Sequence, residues 1–290
     1  MSTINALDIR YLAHNALALP DGGELYYELQ GDGQAVTFLN NFYILSPVWR
    51  NFTGDLADRM TMLTYDLRNQ GASHGGDAPF TFATHADDLL RLLDHAKIES
   101  TVLVGTSIST LIARDFAVRH PDRVSGLVLV GPAFSPFGGF RRQLISKSWL
   151  ASLEAGGTTQ LFDALYPLVF SDQTVNSGGK AAYFGLRDTF LALLSEASIR
   201  QNLVASMDVV DNPDDLAGLT MPVQIMLGDG EFMWSESMVS ELQKLIPHAS
   251  VATLPAAGHV PFFDAPEAFQ DALGEFLDVV ASGGGQGVSR

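Results

Sequence analysis

The chain has 290 residues, 47% of them hydrophobic, with 27 glycines, 13 prolines, no cysteine and a formal net charge of −16. This is enough apolar material for one sizeable core, and it favours one domain with an insertion over two independent domains. The lack of cysteine excludes disulfides and thiol chemistry and suits a cytoplasmic location, while the acidic balance argues against nucleic acid and anionic membrane surfaces as partners.

The opening stretch MSTINALDIR has Asp8 and Arg10 inside its apolar portion and lacks the basic-then-apolar order of a secretory leader. No uninterrupted apolar run reaches the roughly 18 residues of a membrane span. Glu24–Leu29 and Ala35–Asn40 are strand-like and flank the turn signal Gly31-Asp32-Gly33, so they are expected to form an antiparallel hairpin at a sheet edge. Ser46-Pro47 suits the N-cap and first turn of a helix, and Met60–Leu67 reads as the next strand. Within Thr81–Lys97, Ala86, Leu89, Leu90, Leu93 and Ala96 recur at helical spacing. A strand at Thr101–Val104, a helix from Ile108 to about Arg119 and a strand at Gly126–Val130 follow.

After Gly131-Pro132 the rhythm changes. From Ala133 to about Thr220 there are helical pieces near Arg141–Glu154, Gln160–Phe170 and Lys180–Ser206, but no convincing strand. Strand character returns at Pro222–Leu227 and Ser250–Leu254, with helices near Ser235–Leu245 and Pro266–Val280. The alternation predicts an α/β chain: a mostly parallel central sheet flanked by helices. Residues 1–132 and 221–282 form the expected core, 133–220 a helical cap and 283–290 a flexible tail.

In such a sheet, chemistry gathers at the carboxyl ends of the strands. The stretch Leu103–Thr110 (LVGTSIST) lies at one such end and resembles G-x-S-x-G with Ser109 in place of the last glycine. A serine there, Ser107, sits in a tight strand-to-helix turn beside the helix's first-turn amides. Read alone, the stretch fits equally a turn capped by Thr106, Ser107 or Ser109. A serine nucleophile needs a base, and the base an orienting carboxylate. His259 lies in the loop after Ser250–Leu254, at a strand's carboxyl end, whereas the other histidines fit surface or capping places. Asp229 and Glu231 both follow Pro222–Leu227, and either could serve as the acid, although Gly228-Asp229-Gly230 also suits a plain turn.

These residues occur in the order Ser107, acid, His259, and four further stretches accompany them: FLNNFY, TYDLRNQGAS, RHPDRVSGLVLVGP and GHVPFFDAPEAF. Together they identify the chain as resembling the cap-bearing α/β-hydrolases over about residues 17–280. More loosely, NNF and DLRNQGAS are similar to stand-alone hydrolases and thioesterases of polyketide or peptide biosynthesis. The resemblance implies an α/β-hydrolase fold with its cap inserted after the sixth strand, and a serine hydrolase acting on an ester or thioester through an acyl-enzyme. It prefers Glu231 as the acid, with Asp229 the alternative, because the family's acid usually stands three residues beyond the strand-end glycine. It assigns the oxyanion hole to the backbone N–H groups of Ile108 and Phe42. The chain departs from the family at Asn40-Asn41, where His-Gly is usual. Asn40 and Asn41 are candidate substrate contacts, Asn40 reading equally as a buried amide that ties loops together, and Trp234 is a further candidate contact beside the cap.

Aromatic residues in and beside the cap, Phe134, Phe137, Phe140, Trp149, Tyr166, Phe170, Tyr183, Phe184 and Trp234, favour a small-molecule substrate with a sizeable apolar acyl chain, although most of them could equally form the cap's own core. Arg141, Arg142 and Lys147 form a basic cluster on the cap that reads either as a solvated helix face or as a dock for a carrier-protein- or coenzyme-A-tethered substrate. No metal or other cofactor is expected, since there is no H-E-x-x-H, P-loop or G-x-G-x-x-G, and Asp211, Asp214 and Asp215 read as a polar loop. The same triad would also support C–C bond hydrolysis, acyl transfer or cyclisation, and a ligand-binding pseudo-hydrolase is the alternative of a different class.

Overall fold

A computed structural model describes residues 7–12, 15–76 and 81–283. The expected tail at 283–290 lies, beyond Gly283, outside the described residues. Eight strands form one sheet: β1 (Ala16–Ala18), β2 (Glu24–Gln30), β3 (Ala35–Leu39), β4 (Thr61–Tyr65), β5 (Thr101–Thr106), β6 (Val124–Val130), β7 (Val223–Gly228) and β8 (Ser250–Leu254). Their spatial order is β1-β2-β4-β3-β5-β6-β7-β8. From β4 to β8 every neighbouring pair is parallel, while β1 and β2 are antiparallel to their neighbours. All residues of β5 and β7 are buried, as central strands covered on both faces require.

The expected hairpin between Glu24–Leu29 and Ala35–Asn40 does not form. β4 lies between the two strands, antiparallel to β2 through Tyr27–Tyr65 and parallel to β3 through Leu39–Tyr65. The edge hairpin is instead β1 with β2. Gly31-Asp32-Gly33 serves to step the chain over the end of β4. A Cβ on Gly31, at φ +78°, would stand 2.1 Å from the Met60 carbonyl oxygen and 2.2 Å from that of Ala57. A turn glycine signals a reversal, but the partner of each strand is fixed by the crossover that follows.

Helix α1 (Phe82–His95) starts where Thr81 accepts from the Thr84 N–H, and it buries Phe82, Ala86, Leu89, Leu92 and Leu93 along one face. Helix α2 (Ser109–Arg119) follows β5 directly. The expected helix at Ser46 is a 3-10 segment, Ser46–Asn51, and Ser46 does not cap it; its N–H and hydroxyl both donate to Asp66. Between β6 and β7 the chain is helical: α3 (Phe140–Val169), α4 (Asp172–Leu193), α5 (Glu196–Met207) and the short α6 (Pro213–Ala217). Non-helical angles at Gly156 and Gly157 divide α3 into two pieces. The expected single helix over Lys180–Ser206 is instead interrupted at Leu194-Ser195, where the Ser195 side chain accepts from the Ser198 N–H and starts α5. Helices α7 (Glu236–Leu245), α8 (Pro261–Asp264) and α9 (Pro266–Ala281) complete the described chain. No helix among the described residues is long and apolar enough to cross a membrane.

Candidate active site

The turn between β5 and α2 holds Ser107 at φ +51°, a conformation rarely adopted by a residue with a Cβ. Hydrogen bonds hold it there. Its N–H donates to the Val130 carbonyl at 2.8 Å, and its carbonyl accepts from the Thr110 N–H at 3.0 Å and the Thr110 hydroxyl. The backbone is thus tied at both ends while the side chain projects from the bend. A Cβ on Gly105 would lie 2.9 Å from the Ala113 Cβ, so strand and helix pack too closely there for a larger residue. Ser109, at the position where glycine is usual, is wholly buried. Its hydroxyl oxygen accepts from the Thr106 N–H at 2.9 Å, with the Leu39 carbonyl oxygen at 3.1 Å and that of Thr106 at 2.9 Å as acceptors for its proton. The extra hydroxymethyl group therefore fastens the turn to β3.

His259 Nε2 lies 2.8 Å from Ser107 Oγ, and its Nδ1 lies 2.9 and 3.0 Å from the two Glu231 carboxylate oxygens. The His259 and Glu231 side chains are only 2% and 4% exposed. With Nδ1–H donating to Glu231, Nε2 is left to accept from the serine hydroxyl. Burial pushes the Glu231 carboxyl up, but the facing imidazole and the N–H groups of Met233 and Phe232 outweigh it, and its pKa lies below the ordinary value. The His259 N–H donates to the Val169 carbonyl at 2.8 Å, so the end of α3 anchors the histidine loop. Gly131, at the end of β6, clears space for the pair: a Cβ there would stand 2.9 Å from His259 Nδ1 and 3.1 Å from Glu231 Oε2.

Asp229, the alternative acid, does not meet His259. Its carboxylate accepts from the N–H groups of Ala256 at 3.1 Å and Ala257 at 3.2 Å, closing the turn beyond β8. The backbone N–H groups of Phe42 and Ile108 donate to no protein acceptor among the described residues, leaving both available to a ligand.

The three candidate substrate contacts differ in their placement, and of the two readings of Asn40 the structure shows the buried amide. Asn40 is fully buried; its amide donates to Asp66 and Gln70 and accepts from the Trp49 indole, so it does not face a substrate. Asn41 lines an apolar cavity, although its side-chain oxygen is taken by the N–H groups of Tyr43 and Ile44. Trp234 is buried against Phe134 and donates its indole N–H to the Pro132 carbonyl at 2.6 Å, which makes it a packing residue. The basic cluster is likewise dispersed. Arg142 is buried, donating to the carbonyls of Ser206 and Val209 and facing Asp211, so only Arg141 and Lys147 are exposed. Asp211 does not belong to a loose polar loop. It sits between Arg114 of α2 and Arg142 of α3, joining the two helices by an ion pair on each side.

The cavity has a volume of about 110 Å³ and lies between the loop after β3 and helices α3 and α4. Asn41 and Val260, each next in sequence to a residue of the site, contribute to its wall, as do Phe162, Phe190 and Phe262. Tyr166 and Phe170 were visible as aromatic candidates, but Phe137, Phe140 and Phe184 are exposed. Sequence reasoning missed Tyr43, Asp66, Gln70 and His85. The first three lie in FLNNFY and TYDLRNQGAS, where the available signal was a run of side-chain amides and acids beside apolar strands. His85 was read as a surface or capping residue, yet it is 1% exposed on the inner side of α1.

A profile of the α/β-hydrolase fold matches residues 37–266. The chain belongs to the α/β-hydrolase family. This hydrolase is 28% identical over 265 residues to the sn-1-specific diacylglycerol lipase ABHD11 of Mus musculus, a match covering 87% of the chain and 84% of the relative. Solved structures with the same fold include an esterase from Thermogutta terrifontis (TM-score 0.81, 22% identity, 93% of this chain and 99% of that one). The enol-lactonase from Burkholderia xenovorans LB400 is another (TM-score 0.79, 23% identity, 91% of this chain and 100% of that one).

Proposed function

We propose that this α/β-hydrolase cleaves small carboxylic esters with an apolar acyl group, by way of an acyl-enzyme on Ser107. The observation that carries the reading is the unbroken chain of contacts from Ser107 Oγ through His259 to Glu231. His259 Nε2 takes the serine proton as Oγ bonds to the ester carbon, and the Phe42 and Ile108 N–H groups receive the developing oxyanion. When the C–O bond to the leaving group breaks, the imidazolium returns its proton to the departing alkoxide. Water then enters, gives a proton to the same nitrogen and attacks the acyl carbon; as the bond to Ser107 Oγ breaks, the imidazolium returns that proton to Oγ, releasing the acid and restoring Ser107. Glu231 stays ionised throughout, stabilising the imidazolium.

The cavity beside Asn41 and Val260 supports an apolar acyl chain over a charged one. The mouse relative's name, a diacylglycerol lipase, points the same way. With Arg142 withdrawn into the interior, the remaining exposed cations favour a free ester over a carrier-protein- or coenzyme-A-linked thioester. The support for a place in secondary metabolism is the wording of NNF and DLRNQGAS, and for a cytoplasmic one the cysteine-free composition. Fluorophosphonate labelling with p-nitrophenyl ester assays tests the reading: the wild type should label at Ser107 and turn over, and Ser107→Ala should do neither. Unchanged turnover by Ser107→Ala would remove the nucleophile from the scheme.

A further inference from the structure

The loop after β3 carries a series of amide groups whose orientations determine one another. The Trp49 indole N–H can only donate, so Asn40 must present its oxygen to it, at 2.9 Å. The Asn40 amino group then donates to Asp66 Oδ1 at 3.0 Å and to Gln70 Oε1 at 3.2 Å. Gln70 Oε1 also accepts from the Leu67 N–H at 3.2 Å. With its oxygen committed on that side, Gln70 turns its amino group to the Asn41 carbonyl, 2.6 Å away. Asn40, Trp49, Asp66 and Gln70 are all buried, so exchange of these partners for water is disfavoured.

The carbonyl of Asn41 and the N–H of Phe42 belong to one peptide unit. In a planar trans peptide these groups point in opposite directions. A donor holding the Asn41 carbonyl therefore aims the Phe42 N–H away from Gln70 and prevents the unit from rotating. The Asn41 side-chain oxygen adds selectivity, because it accepts from Tyr43 at 2.7 Å and Ile44 at 3.0 Å but not from Phe42. The two N–H groups after Phe42 are occupied and that of Phe42 is left available.

We infer that Gln70, oriented by Trp49 and Asn40, is a positioning residue that fixes the Asn41–Phe42 peptide so that the Phe42 N–H meets the oxyanion. The inference rests on the proposed hydrolase reading and extends it to residues that touch no substrate. It gives a purpose to the buried Asn40 amide that ties these loops together. Its place requires a side chain that accepts on one side and donates on the other, and a neutral amide does both. It also separates glutamine from glutamate at position 70, since a carboxylate would set an acceptor against the Asn41 carbonyl.

The test uses Gln70→Glu and Gln70→Met, nearly isosteric changes that remove the donor. Removing an oxyanion donor outright costs about 10²–10³ in rate, so misaiming one should lower kcat on the order of 10- to 100-fold, with KM within about twofold. Affinity for a trifluoromethyl ketone, which adds to Ser107 to give an oxyanion, should fall by the same factor. Gln70→His should recover much of the loss, because a neutral imidazole keeps one donor and one acceptor. Should the position 70 variants fail to fold, Trp49→Phe releases Asn40 to turn over and should reproduce the paired loss in kcat and ketone affinity. Folded variants with wild-type kcat and ketone affinity would overturn the inference, as would a kcat loss with ketone affinity unchanged. Ser107→Ala is assayed alongside. If it remains active the hydrolase reading fails; if it is inactive while Gln70→Glu is fully active, only the peptide lock fails.

Discussion

The strand-end site and the helices between β6 and β7 are built to different tolerances. Around Ser107 the backbone is crowded: added Cβ atoms on Gly105, Gly131 and Gly228 would come within 2.9, 2.7 and 2.2 Å of their nearest neighbours. In the helical segment the close approaches are to side chains only, as at Gly178 with the Ala182 Cβ at 2.6 Å and Gly156 with the Gln160 Cβ at 2.7 Å, Gly179 meets nothing within 4 Å, and Phe140, Leu144 and Phe184 are exposed. The sheet end links Ser107 to His259 and His259 to Glu231 at 2.8 to 3.0 Å, the separation that proton transfer demands. The helices supply a cavity wall of aromatic and aliphatic side chains. The two regions meet where the His259 N–H donates to the Val169 carbonyl, so this part of the wall also anchors the histidine loop.

The most severe way to break this division is at the site itself. Ser107→Ala should lower kcat/KM for p-nitrophenyl esters by about 10⁴-fold or more, and His259→Ala by a similar amount, measured at saturating and limiting substrate. The two acids on one turn sharpen the contrast further. Glu231→Gln should cost about 10²- to 10⁴-fold in kcat by removing the charge that orients and stabilises the imidazolium. Asp229→Asn should leave kcat within a few-fold and act on thermal stability, since that carboxylate binds only the Ala256 and Ala257 backbone N–H groups. Equal kinetic losses in the two variants would place Asp229 in the proton path.

Glycine substitutions compare the regions directly. Gly131→Ala should displace the His259–Glu231 pair and depress kcat strongly, whereas Gly179→Ala, strained at φ +53° but unobstructed, should lower Tm and leave kcat near wild type. Within the helical wall, Phe190→Ala should change selectivity more than chemistry. It should raise kcat/KM for longer acyl chains relative to acetate by about 10-fold, the scale of one to three kcal/mol for a pocket change.

A further test of the seam between the regions lies at His85 of α1. Burial lowers its pKa to about 4, opposed by its hydrogen bond with Asn202 of α5, which favours the protonated ring. As pH falls from about 6.5 toward 4, the unfolded chain takes up a proton that the folded protein refuses, so this group makes stability decline across that window, by up to about 3 kcal/mol. Burial raises the carboxyls of Asp66, Asp88, Asp115 and Asp264, which act in the opposite sense below their own pKa values. His85→Gln should accordingly show a smaller fall in Tm between pH 7 and 5 than the wild type. An unchanged pH slope would assign the acid sensitivity elsewhere.

The sequence by itself determined the alternation of strands and helices, since short apolar runs rich in β-branched residues and bounded by turn signals suit buried strands, while apolar residues at helical spacing suit amphipathic helices. It likewise determined the chain order of Ser107, Glu231 and His259, and the break in α3 at Gly156-Gly157, because glycine propensity and strand ends are local properties. Three matters were decided only by tertiary structure. The partner of β2 depended on where the β3–β4 crossover returned, not on the turn glycines. Which of the two carboxylates, Glu231 as the resemblance preferred or Asp229, faces His259 depended on which one the next loop's amides consumed. The roles of Asn40, Arg142 and His85 depended on burial, which turns a polar side chain from a solvent or substrate contact into a group that must find its partners within the fold.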